Sequence, residues 1–251
     1  MTFPQLTGRI DGQNMIVSAH LGERNAIAAH REGSPFDNSI QSLLNTVAGV
    51  GLAAAAAAER LQPVALLAEI RQGMRSEVRP AYQRVVKAVQ TRKQQDAMRL
   101  AKLGEATGDL PFAAEDRAAF RAVPTGEIMR WINGASRDQL AAIVSAGRSR
   151  FPKMGDEPWS AATDRLELLN LIALAGKQAE HSLKPTVDDP AAVGPDTDAA
   201  EAWAYEQMQS IKDEMAAVGH AERTLRDVVV VASVACDLPL NDAYALLAEA
   251  A

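Results

Sequence analysis

The sequence predicts an all-α protein built as an irregular multi-helix bundle, and three observations support this fold class. Of the 251 residues, 48 are alanine, and only 4% are aromatic. Alanine loses no side-chain entropy in a helix and lets helix axes approach closely, so this composition favours packed helices. The third observation is a long helical pattern over residues 63–104, which we predict to form one helix with a kink or a break at Pro80.

The segment 63–104 combines an apolar stripe with a strongly basic face. Its apolar residues recur every three or four positions, at Leu67, Ile70, Met74, Val78, Ala81, Val85 and Val89. It contains six arginines and three lysines against three acidic residues, a net charge of +6 in a chain whose total is −6. Seven of these cations are the candidate contacts for an anionic partner: Arg71, Arg75, Arg79, Arg84, Lys87, Arg92 and Lys93.

The C-terminal part of the chain has the opposite charge. From Met154 onward there are 6 basic and 18 acidic side chains, a net charge of −12. Within the basic helix, the row Arg71, Arg75 and Arg79 has no carboxylate at the spacing that neutralises a surface helix. We therefore expect the acidic C-terminal part, or an acidic neighbouring subunit, to meet the basic helix.

Composition divides the chain into four predicted parts. Residues 1–36 are expected to form an extended arm (1–14) and a first helix (15–30), because the apolar residues after Leu21 continue more naturally as a helix than as a strand. Residues 37–183 form the predicted helical core domain. Prolines, aspartates and a glycine mark residues 184–197 as a linker, and residues 198–251 form an acidic C-terminal helical segment.

Capping residues and prolines place the helices of the core domain at 39–61, 63–104, 112–122, 125–133, 137–147 and 161–183. Ser136 and Gln139 have the spacing of a capping box, and Ser160 is the predicted cap of the last of these helices. Phe151 and Trp159 are expected to pin the loop 148–159 into the core, which we favour over a partner-binding role for this loop.

Two apolar stretches have alternative interpretations. Residues 40–61 include a run of twelve residues without a polar side chain (47–58), fewer than the roughly 20 apolar residues that span a bilayer. We expect a buried helix there, with a membrane-seeking segment as the alternative. Residues 228–231 are four valines, which locally prefer a strand, but no partner strand is evident. We expect a buried helix that ends near Asp237, followed by a last short helix capped by Asn241.

The sequence contains no recognised catalytic, cofactor-binding or metal-binding motif. The four histidines, His20, His30, His181 and His220, form no Glu-x-x-His pattern. The single cysteine, Cys236, is expected to be a small core residue whose pKa is raised by the adjacent Asp237. Gly49 and Gly51 lie in an apolar helical run and are expected to allow close packing, not nucleotide binding. We therefore expect no cofactor, no metal and no small-molecule ligand.

The sequence favours a non-catalytic structural or assembly protein that acts through protein–protein contacts in a larger complex, such as a phage virion. Its expected partners are protein subunits, identical or different. A nucleic-acid-binding module that uses the basic helix at 71–93 is the first alternative, and a helical enzyme with an unrecognised site is the second. One cysteine, no evident signal peptide and no predicted membrane span favour the cytoplasm, or a particle assembled there.

Overall fold

The computed structural model describes residues 3–12, 14–30, 35–105 and 110–249, except for the side chains of residues 178 and 179. Internal contacts divide the chain into two compact units. The first unit combines Met1–Gln95 with Asp213–Ala251, and the second is Asp96–Lys212. The four-part division given above follows changes of composition and stays a prediction.

The fold is mostly helical, with 71% helix and 10% strand. The all-α class holds only approximately, because the chain begins with a small antiparallel sheet. Its strands are β1 (Gln5–Asp11), β2 (Asn14–Leu21) and β3 (Arg24–Ala29), in that order across the sheet. The predicted arm at 1–14 and the predicted first helix at 15–30 are therefore wrong.

Small side chains concealed the two-residue period of these strands. The buried face of the sheet is formed by Leu6, Val17, Ala19, Ala26 and Ala28. Three of these five are alanine, which suits a helix as well as a strand, so the sequence pattern resembled a helix. Glycines mark the two turns between the strands. Gly12 and Gly22 have φ angles of 66° and 62°, which favour glycine in short hairpin loops.

Helix α1 (Asp37–Ala58) packs against the sheet at a distance that only small residues permit. A Cβ atom added at Gly51 would lie 2.3 Å from the carbonyl oxygen of Leu6, and one at Gly8 would lie 2.4 Å from the Cβ of Ala48. The prediction that Gly51 allows close packing is confirmed, although its neighbour is strand β1. Gly49, on the same helix, is exposed and has nothing within 4 Å of an added Cβ.

The predicted buried helix at 40–61 is confirmed by the packing of α1. By length and composition α1 could cross a membrane, but half of its apolar 18-residue stretch is buried inside the protein. Core helices of other proteins meet the same criterion. The residues of α1 that face the interior are Ile40, Leu43, Leu44, Val47, Ala48, Val50, Gly51, Ala54 and Ala57.

The basic segment forms one continuous helix that changes its winding before Pro80. It consists of α2 (Pro63–Gly73), a π-helical turn (Met74–Val78) and α3 (Arg79–Gly104). Proline lacks an amide N–H, and its ring crowds the carbonyl four residues earlier. The wider turn, in which the Arg79 N–H donates to the Met74 carbonyl, accommodates both effects. The predicted break at Pro80 therefore does not occur.

Shorter helices build the second unit around two apolar clusters, a larger one within residues 120–166 and a smaller one formed by Ile172, Ala200 and Ala204. They are α4 (Ala113–Ala122), α5 (Ile128–Gly134), α6 (Arg137–Ala146), α7 (Asp156–Ala175) and α8 (Lys177–Glu180). The capping box of Ser136 and Gln139 is confirmed, with both reciprocal hydrogen bonds present. The predicted start of α7 at Ser160 is wrong, because the acidic Asp156 and Glu157 occupy the first turn, where the helix dipole favours them.

Helix α9 (Thr197–Ala235) is 39 residues long and continues through Gly219. Residues 228–231 lie within α9, so the helix predicted for the four valines is confirmed. Helix α10 (Leu240–Ala248) follows, and Pro239 occupies its N-cap position instead of the predicted Asn241.

A Schellman motif ends α9. The Leu238 N–H donates to the Ser233 carbonyl at 3.0 Å, and the Asp237 N–H donates to the Val234 carbonyl at 3.3 Å. Asp237 has a φ angle of 50°, the left-handed conformation in which this motif usually places glycine. Aspartate adopts this conformation more readily than most residues other than glycine, and the Asp237 carboxylate also lies 2.9 Å from Arg24 Nη1.

The two glycines of α1 give opposite expectations for substitution by alanine. Gly51→Ala forces the helix and β1 apart and should lower the free energy of unfolding by about 1–3 kcal/mol. Gly49→Ala meets no neighbour and should raise it by about 0.5–1 kcal/mol, because alanine has the better helix propensity. Urea denaturation measures both values, and equal stability of the two variants would contradict the close approach of α1 to β1.

Candidate functional site

Two of the seven predicted contact residues bind the C-terminal ends of other helices. Arg71 Nε donates to the carbonyl of Cys236 at 2.9 Å, directly after the end of α9. Arg79 Nε donates to the carbonyl of Leu246 at 2.6 Å, in the last turn of α10. The last carbonyl groups of a helix have no partner within the helix and carry partial negative charge, so they attract cations.

Other side chains complete these two caps. Gln83 Nε2 donates to the carbonyl of Ala248 at 3.2 Å, beside the Arg79 contact. Arg24, from β3, donates to the carboxylate of Asp237 at 2.9 Å and to the Ser233 carbonyl at 3.3 Å. The ends of α9 and α10 are therefore held from the sheet and from the central helix.

Two more predicted cations pair with acidic residues of α9. Arg92 forms an ion pair with Glu214, and Lys93 Nζ lies 2.7 Å from Glu222 Oε1. At these two positions the basic helix does meet the acidic C-terminal part of the chain. Arg84 instead donates to the Pro80 carbonyl of its own helix at 3.3 Å.

The remaining two predicted cations, Arg75 and Lys87, face solvent. Both are exposed, and neither has a hydrogen bond or an ion pair with any residue that the structure describes. The seven candidate cations of the basic segment therefore fall into two groups. Five contact this chain, and two have no partner among the described residues.

Cys236 lies in the core of the first unit. Burial raises the pKa of its thiol to about 12, and the nearby Arg71 opposes this shift. The expectation of a small core residue is confirmed, although burial, and not the Asp237 carboxylate, is the largest cause of the raised pKa. A thiol held in its protonated form is a poor nucleophile.

A cavity of about 240 Å³ in the first unit contains a buried histidine. His30 is 3% exposed, and its Nε2 lies 2.9 Å from Asp37 Oδ1. His30 Nε2 makes no hydrogen bond with a described residue, so the carboxylate does not orient the imidazole as it would in a general acid–base site. The hydroxyl that lines this cavity, on Thr224, is held by the backbone carbonyl of His220 at 3.3 Å. The sequence missed this pair because the spacing of His30 and Asp37 matches no motif.

A second pocket, of about 290 Å³, opens in the second unit beside α4 and the loop after α6. Its apolar walls are formed by Phe120, Val123, Ile128, Phe151 and Pro152. The rings of Phe120 and Phe151 meet edge to face with their centroids 5.3 Å apart. Phe151 and Trp159 both belong to the apolar cluster of this unit, as the sequence predicted for the loop 148–159.

Three cations surround this apolar pocket: Arg121, Arg150 and Lys153. All three are exposed, and none has an ion pair with a described residue. The guanidinium of Arg121 lies 5.5 Å from the centroid of the Phe151 ring, so this cation is placed at the pocket wall. No carboxylate of a described residue lines the pocket. The arrangement suits an apolar group that has negative charges beside it.

Comparison with family models, curated proteins and solved structures found no match to this chain. Across the described ranges, no three His, Cys, Asp or Glu side chains are grouped closely enough to hold a metal ion.

The helix-capping role of the arginines predicts that variants at neighbouring positions differ clearly in stability. Arg79→Met leaves the Leu246 carbonyl without its donor and should lower the free energy of unfolding by about 1–3 kcal/mol. Arg75→Met, one turn earlier and exposed, should change it by less than about 0.5 kcal/mol. Urea denaturation of both variants measures the difference, and equal losses would contradict the capping role.

Cys236 predicts a loss of stability at alkaline pH. The unfolded thiol loses its proton near pH 9.0, whereas the folded thiol keeps it up to a pKa of about 12. The folded state then binds more protons, so above pH 9.0 the free energy of unfolding falls, approaching about 1.4 kcal/mol per pH unit from this group. Chemical denaturation of wild type and Cys236→Ala across this range should show the shallower dependence for the variant; parallel curves would contradict the buried neutral thiol.

Proposed function

We propose that this chain is a non-catalytic helical assembly protein that works through protein–protein contacts, with the apolar pocket of the second unit as its docking site. The observation that supports this proposal is the position of Arg121, Arg150 and Lys153, three exposed cations around an apolar pocket. The walls of the pocket include buried apolar side chains, with Phe120 and Phe151 each 3% exposed, and an apolar concavity with a few charged groups at its edge is the usual form of a binding site.

The size and charge of the pocket define the kind of partner it fits. Its volume of about 290 Å³ is at the lower end of the range typical of small-molecule sites, about 300–1,000 Å³. A single large side chain fits this space, as the apolar anchor residues of protein interfaces do. The three cations favour acidic residues on either side of that anchor, because complementary charge selects partners and speeds their association.

The setting in which the protein assembles is part of the same proposal. The sequence favours a larger particle, such as a phage virion, in which many subunits contact one another. In this interpretation the first unit supplies a stable body, and the second unit carries the docking pocket.

Nucleic-acid binding is the second candidate function, and one observation favours it. Arg75 and Lys87 are exposed on the basic helix and have no partner among the described residues. The phosphate backbone attracts such cations, and binding would weaken with added salt. Five of the seven cations of this segment already contact the protein itself, which leaves few for phosphate. We therefore rank this function second.

Two double variants separate the candidates. Arg150→Glu with Lys153→Glu reverses the charge at the pocket, and Arg75→Glu with Lys87→Glu reverses it on the basic helix. The probes are a fluorescein-labelled acidic peptide with a central leucine, its leucine-to-serine control, and duplex DNA at low salt. We expect the acidic leucine peptide to bind wild type and the helix variant, and to bind the pocket variant about tenfold more weakly or worse.

Each other result counts against the proposal. Equal binding of the leucine and serine peptides would contradict the role of the apolar anchor. Wild type that fails to bind the leucine peptide would contradict the docking function. The nucleic-acid function would be favoured instead if wild type retards DNA, the helix variant does not, and no peptide binds.

A further inference from the structure

The segment between α8 and α9 is a closed loop with an ordered base. Ser182 and Pro195 form an antiparallel bridge, and the Leu183 N–H donates to the Gly194 carbonyl at 2.9 Å. The Asp196 N–H donates to the His181 carbonyl at 2.7 Å. These bonds draw the two ends of the predicted linker 184–197 together, so its middle projects as a loop that the base supports.

The tip of this loop is a tight turn that presents an apolar side chain. The Thr186 N–H donates to the Asp189 carbonyl at 2.9 Å, and the Asp189 N–H donates to the Thr186 hydroxyl at 3.0 Å. Between them Val187 is 98% exposed, and Asp188 and Asp189 are exposed beside it. Water contacts nearly the whole valine side chain, which is an unfavourable state for an apolar group that nothing covers.

We propose that this loop docks in the apolar pocket of a second copy of the chain, with Val187 as the anchor and Asp188 and Asp189 facing the pocket cations. This inference rests on the proposed function and names the partner. The two surfaces match in charge: the turn has two carboxylates beside the valine, and the pocket has Arg121, Arg150 and Lys153. The single cation of the loop, Lys184, is at its base, away from the tip.

The hydrogen bonds of the loop favour such docking. A segment that is already held in its binding conformation loses less conformational entropy on association than a flexible one. Val187 is solvent-covered in the same molecule that carries the pocket, so the loop does not fill the pocket of its own chain. A second copy is the partner that always accompanies this chain.

The proposed contact joins two different surfaces, a loop and a pocket. Such a head-to-tail contact does not pair with itself, so each bound copy still offers one loop and one pocket for further copies. Association therefore continues into a ring or an open chain of subunits, and the mean mass should rise with protein concentration.

Complementation between two defective variants tests the proposal. Val187→Asp removes the anchor and keeps the pocket, whereas Arg150→Glu with Lys153→Glu damages the pocket and keeps the loop. All three positions are exposed, so both variants should keep the fold, which circular dichroism verifies. Light scattering with size exclusion should find association for wild type and monomers for each variant alone. An equal mixture should give one-to-one dimers and nothing larger, because only one intact loop and one intact pocket meet.

Val193→Asp is the matched control. Val193 belongs to the same loop and is 87% exposed, but it lies near the closed base and away from the two aspartates at the tip. This variant should associate as wild type does. Association that Val193→Asp abolishes and Val187→Asp retains would overturn the assignment of the anchor.

Two further results would overturn the inference. The first is an equal mixture of the defective variants that stays monomeric while wild type associates. The second is wild type that stays monomeric at every concentration. If wild type is monomeric but still binds the acidic leucine peptide, the docking function stands and its partner is another protein. If wild type neither associates nor binds the peptide, both proposals fail.

Discussion

Arginine side chains that bind the carbonyl ends of helices are the interaction on which the first unit depends. Arg71 and Arg24 hold the end of α9, and Arg79 holds the end of α10. Without Arg71 and Arg79, the partly buried carbonyl groups of Cys236 and Leu246 would lose these donors, at a cost comparable to a lost hydrogen bond for each. The π-helical turn lies between Arg71 and Arg79, and the continuous helix thus presents both cations to their two acceptors.

The cations of the chain fall into two groups with different consequences. Those that cap helices or pair with Glu214 and Glu222 stabilise the fold, and their removal acts on stability. Those around the apolar pocket, such as Arg150 and Lys153, have no described carboxylate partner and are available to another molecule. A cation of this protein therefore indicates a binding surface only where no residue of the chain already pairs with it.

Much of the helical architecture could be predicted from the sequence, and the reasons for the failures are physical. Long helices, the capping box at Ser136 and the valine-rich helix follow from periodicity and local hydrogen bonding. The sheet was missed because alanine fills its buried face. The partners of Arg71 and Arg79 were missed because backbone carbonyls leave no mark in a sequence. The pocket needs Phe120 and Phe151 to meet, and 31 positions separate them.

The ion pair of Arg24 and Asp237 joins residues 213 positions apart, which has a consequence for synthesis. The second unit is one uninterrupted stretch, so it is synthesised before the second segment of the first unit, Asp213–Ala251. The early strands must therefore wait until the second unit has been synthesised before Arg24 can contact Asp237, whereas domains generally fold as units as the chain emerges. A truncation between residues 213 and 236 removes that contact and leaves the sequence of the second unit whole.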